Sequence, residues 1–391
     1  MSETVPAPRE AVADLRIRSI EAFPVSFRVP EGTAVRHGIG AAVKRDTVLV
    51  KVVTECGIVG WGEAHHGRGP TSIADLVNNT LRHFLDGRSA AAPVDAWAAV
   101  YVRHLASHGQ GAGTMIALSG IDMALWDARG KYWAAPCWAL MGGERKGVRA
   151  YAGGVSLGFQ PAESLVEEVA ALVEAGWSAV KLRFGDGLAR DLERLRAVRR
   201  AFPDLTVMVD ANCTYDLHDV AAAAPVLRAC GVHWFEEPFP AHDHRSYAAA
   251  RALMAGVPLA AGENHYGRFE FHRLIEDRAV DILQPDLSKS GGPTEVLRIA
   301  HMAGAWKIPL CPHIATGGLN HAATVHLLSA VDNAGWFEGD ASPGNVFRDA
   351  LCAIRPDEDG LVRPPSGPGW GVEVDEDLIR RYPVIAGPGF V

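Results

Sequence analysis

Apolar and polar residues alternate near the start of the chain and then settle into a longer, regular rhythm. Residues 16–28 and 47–54 are rich in β-branched residues and alternate as half-buried strands do, and GIVGWGE (57–63) reads as a turn followed by a short strand. Helical spacing follows at about 72–85, 93–106 and 114–130. The last of these carries Ile121, Leu125 and Trp126, with Ala117 and Leu118 one turn earlier. Strands followed by helices predict a small α+β unit. After Gly142-Gly143, short apolar runs recur at about 148–153, 178–184, 205–210, 232–236, 258–262, 280–285, 308–312 and 334–338, separated by helical stretches such as 161–175, 188–201 and 220–230. Eight strands, apolar on both faces and each followed by a helix, are what a parallel (β/α)-barrel of the TIM type requires. An open doubly wound sheet gives the same local signal, and the count of eight favours closure. The expected plan is a flexible arm over 1–15, an α+β capping domain over 16–145, a modified (β/α)-barrel over 146–355 and a Pro- and Gly-rich tail over 356–391 that returns to the cap.

Composition narrows the partners. The 391 residues are 48% hydrophobic with a net charge of −8 and no long basic run, which argues against nucleic acid. No apolar stretch approaches the roughly 20 residues that cross a bilayer. The polar N-terminus lacks the apolar core of a signal peptide. Six scattered cysteines without a CxxC pair argue against a disulfide framework or a zinc site, so a cytoplasmic setting is expected.

Chemistry in such a barrel gathers where strands end and loops begin. Those positions carry Lys181 and Arg183, Asp210 and Asn212, Glu236 and Glu237, Glu263 and Asn264, Asp286, His313 and Glu338. Asp210, Glu236 and Glu263 end consecutive strands. One such acid is as often a solvated loop residue or helix cap as a ligand. Three converging would repel one another unless a cation sits between them, and an all-oxygen set suits Mg²⁺. Asp286 beside His313 would orient the ring and raise its basicity, making a general base. Lys181 and Arg183 share one face of their strand. Mutual repulsion would depress the lysine pKa and prepare it as a base; alternatively the pair neutralises carboxylates or substrate. Glu338, if protonated, would donate to a developing oxyanion. This set suits removal of a proton α to a carboxylate, because a divalent metal offsets the second negative charge as it forms. No dinucleotide or P-loop motif indicates a nucleotide cofactor.

The stretches GWGEA (60–64), SGIDMALWDARGKYWAAPCWALMGG (119–143), Lys181-x-Arg183, VDAN (209–212), FEEP (235–238), GENHYG (262–267), LQPDLSKSGG (283–292), CPHIATGG (311–318) and WFEGD (336–340) together resemble the enolase superfamily, and within it the mandelate racemase/muconate lactonizing enzyme type. The resemblance runs from about residue 16 to the C-terminus. It implies Mg²⁺ on Asp210, Glu236 and Glu263, an Asp286–His313 base dyad, Glu338 as electrophilic partner, and cap loops closing over the substrate. Arg36, His37, Lys44, Arg45, His65 and His66 are candidates in those loops, with Asn212 and His265 on the barrel side. It also implies a homo-oligomer, a dimer or an octamer.

One departure directs the reading. Many relatives carry Lys-x-Lys on the second barrel strand, and here the second position is Arg183, which stays protonated. The resemblance therefore implies dehydration of a hydroxy or sugar acid to a 2-keto-3-deoxy acid through a metal-stabilised enediolate, a lyase reaction with His313 as acid and base and Arg183 holding a substrate oxygen. A racemase or epimerase is the alternative, and a cycloisomerase a third. A non-catalytic scaffold fits an intact strand-end set poorly, and a hydrolytic metalloenzyme would carry a His-rich metal cluster.

Overall fold

The computed structural model describes residues 15–314 and 317–391, so the arm expected over 1–15 lies, but for Leu15, outside the described residues. Strands β1 (Ile17–Arg28), β2 (Lys44–Thr54) and β3 (Val59–Ala64) form an antiparallel sheet in that order. Helix Ala112–Tyr132 lies across β3 at backbone contact. A Cβ at Gly60 would fall 2.1 Å from Ala124 O, and one at Gly62 2.2 Å from Gly120 O, which is why the strand reads GWG. A two-residue hairpin, Arg36–His37 paired with Gly40–Ala41, sits between β1 and β2.

Seven parallel strands of the barrel pair in one sheet: Val148–Gly153, Ala179–Arg183, Thr206–Asp210, Phe235–Glu236, Leu259–Ala261, Ile282–Leu283 and Phe337–Asp340, the last returning beside the first. The run expected at 308–312 contributes a single bridging residue, Leu310, which pairs Leu283 on one side and Ala334 on the other and so closes the ring. Pro309 and Pro312 flank it, and neither has an N–H to extend a ladder. Closure also shows in the lumen. Tyr151, Ala179, Met208, Trp234, Ala260, Ile282, Cys311 and Trp336, one in or directly beside each strand, form one buried cluster that plugs the barrel. The architecture is thus a modified TIM barrel with an N-terminal capping domain.

The end of the chain lies on the cap. Ser26 N donates to Tyr382 O at 3.1 Å, and Val391 exchanges backbone hydrogen bonds with Ala41 at 2.7 and 3.0 Å. All six cysteines are free, and among the described residues no helix is long and apolar enough to cross a membrane.

Replacing Gly62 by Val should force β3 away from helix Ala112–Tyr132 and destabilise the protein by about 3 kcal/mol, the upper range of core overpacking. Urea unfolding reads this directly, and an unchanged midpoint would contradict the packing described.

Candidate active site

The pleat of the barrel strands generates the site. Side chains two residues apart share a face, so the position two residues beyond each plug residue also faces inward, at the rim: Lys181 after Ala179, Asp210 after Met208, Glu236 after Trp234, Gln284 after Ile282, His313 after Cys311 and Glu338 after Trp336. Glu263 is one residue out of phase. The intervening Gly262 presses against the sixth strand so closely that a Cβ there would lie 2.6 Å from Gln284 N. Just after the ligand strands the backbone turns through left-handed conformations at Asn212, Cys213 and Glu237 (φ 44°, 64° and 35°), strain of the kind that clusters at functional sites.

Asp210, Glu236 and Glu263 converge, each offering an oxygen within 4.8 Å of the others. Asp210 and Glu236 are fully buried. Asn212 N reaches Asp210 Oδ1 at 2.8 Å, and Glu236 accepts from Trp234 Nε1 at 3.0 Å, Gln284 Nε2 at 2.6 Å and Lys181 Nζ at 2.6 Å. Burial pushes the Glu236 carboxyl up to about 7 despite Lys181, with Asp210 and Glu338 adding to the rise; burial and then Glu263 push Glu237 up to about 8. This crowding of buried carboxylates fits a divalent cation, and oxygen-only donors fit Mg²⁺.

Without a metal at the cluster, Lys181 is held as a cation. It is fully buried, with Nζ 2.6 Å from Glu236, 3.0 Å from Glu338 and 3.9 Å from Asp210. Burial and Arg183 oppose its charge, but the three carboxylates outweigh both and raise its pKa. These contacts are those of the neutralising alternative. Arg183 is likewise held as a cation, hydrogen-bonded to Asp210 and to Gly154 O. Without a metal, the charges around Glu338 favour its carboxylate form over the protonated donor. Burial alone would raise its pKa, but Lys181, His313 and Arg183 bring it down to about 2, and its oxygens accept from Gly154 N and Ile314 N at 3.2 Å.

His313 is held from both sides, Nδ1 2.8 Å from Asp286 Oδ2 and Nε2 3.1 Å from Glu263 Oε2. Burial would lower its pKa; Glu263, the Asp286 hydrogen bond and Glu338 overcome that and lift it to about 9. Asp286 is itself fixed by Ser288 N at 2.7 Å, Ser288 Oγ at 2.6 Å and Asn320 Nδ2 at 3.0 Å. Asn320 N in turn reaches Glu63 Oε2 of the cap at 3.0 Å. A chain of hydrogen bonds thus runs from β3 to the imidazole. The run GVSLG (154–158) has the spacing of a nucleophile elbow, but Ser156 is buried and its hydroxyl donates to Gly153 O at 2.7 Å.

A cavity of about 150 Å³ opens above these groups. His313, Glu263, Arg183 and Asn212 line it from the barrel, and His37, Arg45, His65 and His66 from the cap. Three other candidates lie elsewhere. Arg36 faces a separate groove beside Phe159, and His265 one beside Arg245 and Arg273. Lys44 spends its ammonium on Asp46 at 3.1 Å and on Ile385 O. The cavity also holds Lys289, Arg68 and Phe390. Lys289 falls inside a quoted motif, and its ammonium donates to Asn264 Oδ1 at 3.0 Å. Phe390 is brought in only by the returning tail.

In metal-free protein His313 should titrate near pH 9. Because this pKa is raised from 6.5, the stabilisation it brings is complete below pH 6.5 and lost as pH rises through 9. Mg²⁺ at Glu263 should lower it, by competing for the carboxylate charge. NMR titration against His313→Asn reads both, and a ring titrating near 6.5 without metal would contradict the arrangement.

Comparison with known proteins agrees with this geometry. Residues 20–142 match the mandelate racemase/muconate lactonizing enzyme N-terminal domain, and residues 164–378 the enolase C-terminal domain-like family. The chain is 33% identical to a D-galactarolactone cycloisomerase of Agrobacterium fabrum, over 87% of this chain and 92% of that protein. It is 31% identical to an arabinonate dehydratase of Saccharolobus solfataricus, over 86% and 90%. A solved member of the enolase superfamily from Polaromonas sp. JS666 superposes with TM-score 0.94 at 46% identity, over 96% of this chain and all of that one. A Streptomyces coelicolor racemase solved with bound magnesium superposes at TM-score 0.84 and 27% identity, over 94% and 100%. The chain belongs to the enolase superfamily, in its mandelate racemase/muconate lactonizing enzyme branch.

Proposed function

We propose that this enzyme dehydrates a hydroxylated sugar acid to the 2-keto-3-deoxy acid, with His313 as both base and acid. The observation that carries the reading is the asymmetry of the cavity. On one side His313 is oriented by Asp286. On the other, the cavity wall is Arg183, which stays protonated, and Lys181 on the same strand is fully buried and does not line the cavity. Two-base racemisation needs a proton acceptor on each face of the reacting carbon, and these cations do not supply the second.

The steps balance without an outside reagent. His313 Nε2 takes the α proton, and the C–H electron pair moves into the Cα–carboxyl bond to form an enediolate. That pair then returns to expel the β-hydroxyl, which leaves as water with the proton carried on Nε2. The enol product ketonises to the 2-keto acid. Mg²⁺ across Asp210, Glu236 and Glu263 would supply the positive charge that stabilises the dianionic carboxylate group. Lys289 and Arg183 add fixed cations at the cavity wall, and Asp286 keeps the imidazole Nδ1 protonated so that Nε2 alone exchanges the proton. The likeness to a dehydratase supports this reading. The likeness to a cycloisomerase favours one second reading, in which a ring oxygen rather than a hydroxyl leaves the same enediolate.

Incubation of Mg²⁺-loaded enzyme with C5 and C6 aldonic and aldaric acids in D₂O should yield a 2-keto-3-deoxy acid with deuterium at C3. Deuterium appearing at C2 of recovered substrate, with no keto acid, would sink the dehydratase reading. EDTA should abolish turnover and Mg²⁺ restore it. His313→Asn should lower kcat by about 10³-fold, within the usual worth of a general acid–base group; unchanged turnover would remove His313 from its role.

A further inference from the structure

The cavity offers many hydrogen-bond donors and few acceptors. Arg45, Arg68, Arg183 and Lys289 only donate. Two of its imidazoles have been turned into donors as well. His65 Nδ1 accepts from Gly67 N and His66 Nδ1 from Arg68 N, both at 3.0 Å, so in each neutral ring the proton sits on Nε2. His313 spends Nδ1 on Asp286 and Nε2 on Glu263.

His37 differs. It is 6% exposed, it lines the cavity, and neither ring nitrogen has a hydrogen-bond partner. A buried polar group without a partner is costly, so an unmatched imidazole in a ligand cavity points to a partner that the ligand brings. Burial, then Arg183 and Arg45, push its pKa down to about 3 and keep the ring neutral, with one donor and one acceptor. A carboxylate offers only acceptors and an ammonium only donors. A hydroxyl offers both.

The ring is also held in place. Its backbone is fixed by Phe159 N donating to Arg36 O at 2.7 Å. Gly38 packs so tightly that a Cβ would lie 3.0 Å from Asn212 Cβ, and Phe390 meets the ring edge-on at 5.3 Å. Asn212 follows the third barrel strand and Phe159 the first; His313 follows the seventh, half a turn around the eight-stranded ring from Asn212.

Resting on the sugar-acid reading above, we propose that His37 is a specificity-determining residue: one ring nitrogen accepts from a substrate hydroxyl at the cap wall of the cavity while the other donates to a neighbouring substrate oxygen, so that the site selects acids hydroxylated at that position over their deoxy analogues. His37 moves no proton in this account.

The test is equilibrium binding, which needs no turnover. D-gluconate, D-galactonate and galactarate, with derivatives of each lacking one hydroxyl, are titrated by calorimetry into Mg²⁺-loaded protein in the His313→Asn background, with His37 kept, changed to Leu, or changed to Asn. With His37 in place, one deoxy derivative of the best-bound acid should bind at least tenfold more weakly than its parent. His37→Leu should weaken the parent at least tenfold and abolish that difference. His37→Asn, which keeps a donor and an acceptor, should retain part of it. Melting curves identify any variant that fails to fold, and the Asn variant reads the contact if Leu does. Parent affinity within twofold of normal in His37→Leu, or undiminished discrimination in it, overturns this inference alone. If no acid binds in any background, the sugar-acid reading falls and this one with it.

Discussion

Like charge crowded into a dry rim is the constraint on which the site depends. Asp210, Glu236, Glu263 and Glu338 sit within reach of one another above a plug of Trp, Tyr, Met and Ile, where little water can screen them. Folding tolerates this because Lys181 is threaded up through the barrel beneath three of them and Arg183 covers Asp210. The same cations that make the cluster possible are thereby each paired with a carboxylate. Three oxygens are left converging on one point, with His313 at the edge between Asp286 and Glu263.

The cap does more than cover the barrel. Thr47 on β2 holds Glu63 on β3 at 2.8 Å, Glu63 meets Asn320 N, and Asn320 steadies the carboxylate that orients His313. Gly317 is required for that approach, since a Cβ there would lie 2.5 Å from Glu63 Oε1. The cap hairpin that carries His37 is clamped in turn by the last residue of the chain. The orientation of His313 and the cap wall of the cavity are thus both tied to how the cap seats.

Much of the barrel rim was legible because a parallel strand announces itself twice, by its apolar run and by the residue on which the run stops. Asp210, Glu236 and His313 are readable that way. Glu263 is too, although the glycine that lets it reach the cluster is visible only in three dimensions. Charge states were not legible. Two cations spaced two apart suggest mutual repulsion, but Lys181 answers to carboxylates on three other strands. The cap residues were the least readable, because Arg36, His37, Lys44 and Arg45 look equivalent along the chain. Their fates differ through partners that are distant in sequence: Phe159 beside Arg36, Phe390 against the His37 ring, Ile385 O on Lys44 and Asp340 on Arg45. Phe390 carries no local signal for its place in the cavity.

Asp210, Glu236 and Glu263 should together form one divalent-cation site. Titration of Mn²⁺ followed by electron paramagnetic resonance, with Mg²⁺ as competitor, tests it most directly. One Mn²⁺ per chain should bind, displaced by Mg²⁺ and lost in Asp210→Asn and in Glu263→Gln while both variants stay folded. Binding that is absent from the wild type, or that survives unchanged in both variants, would contradict it.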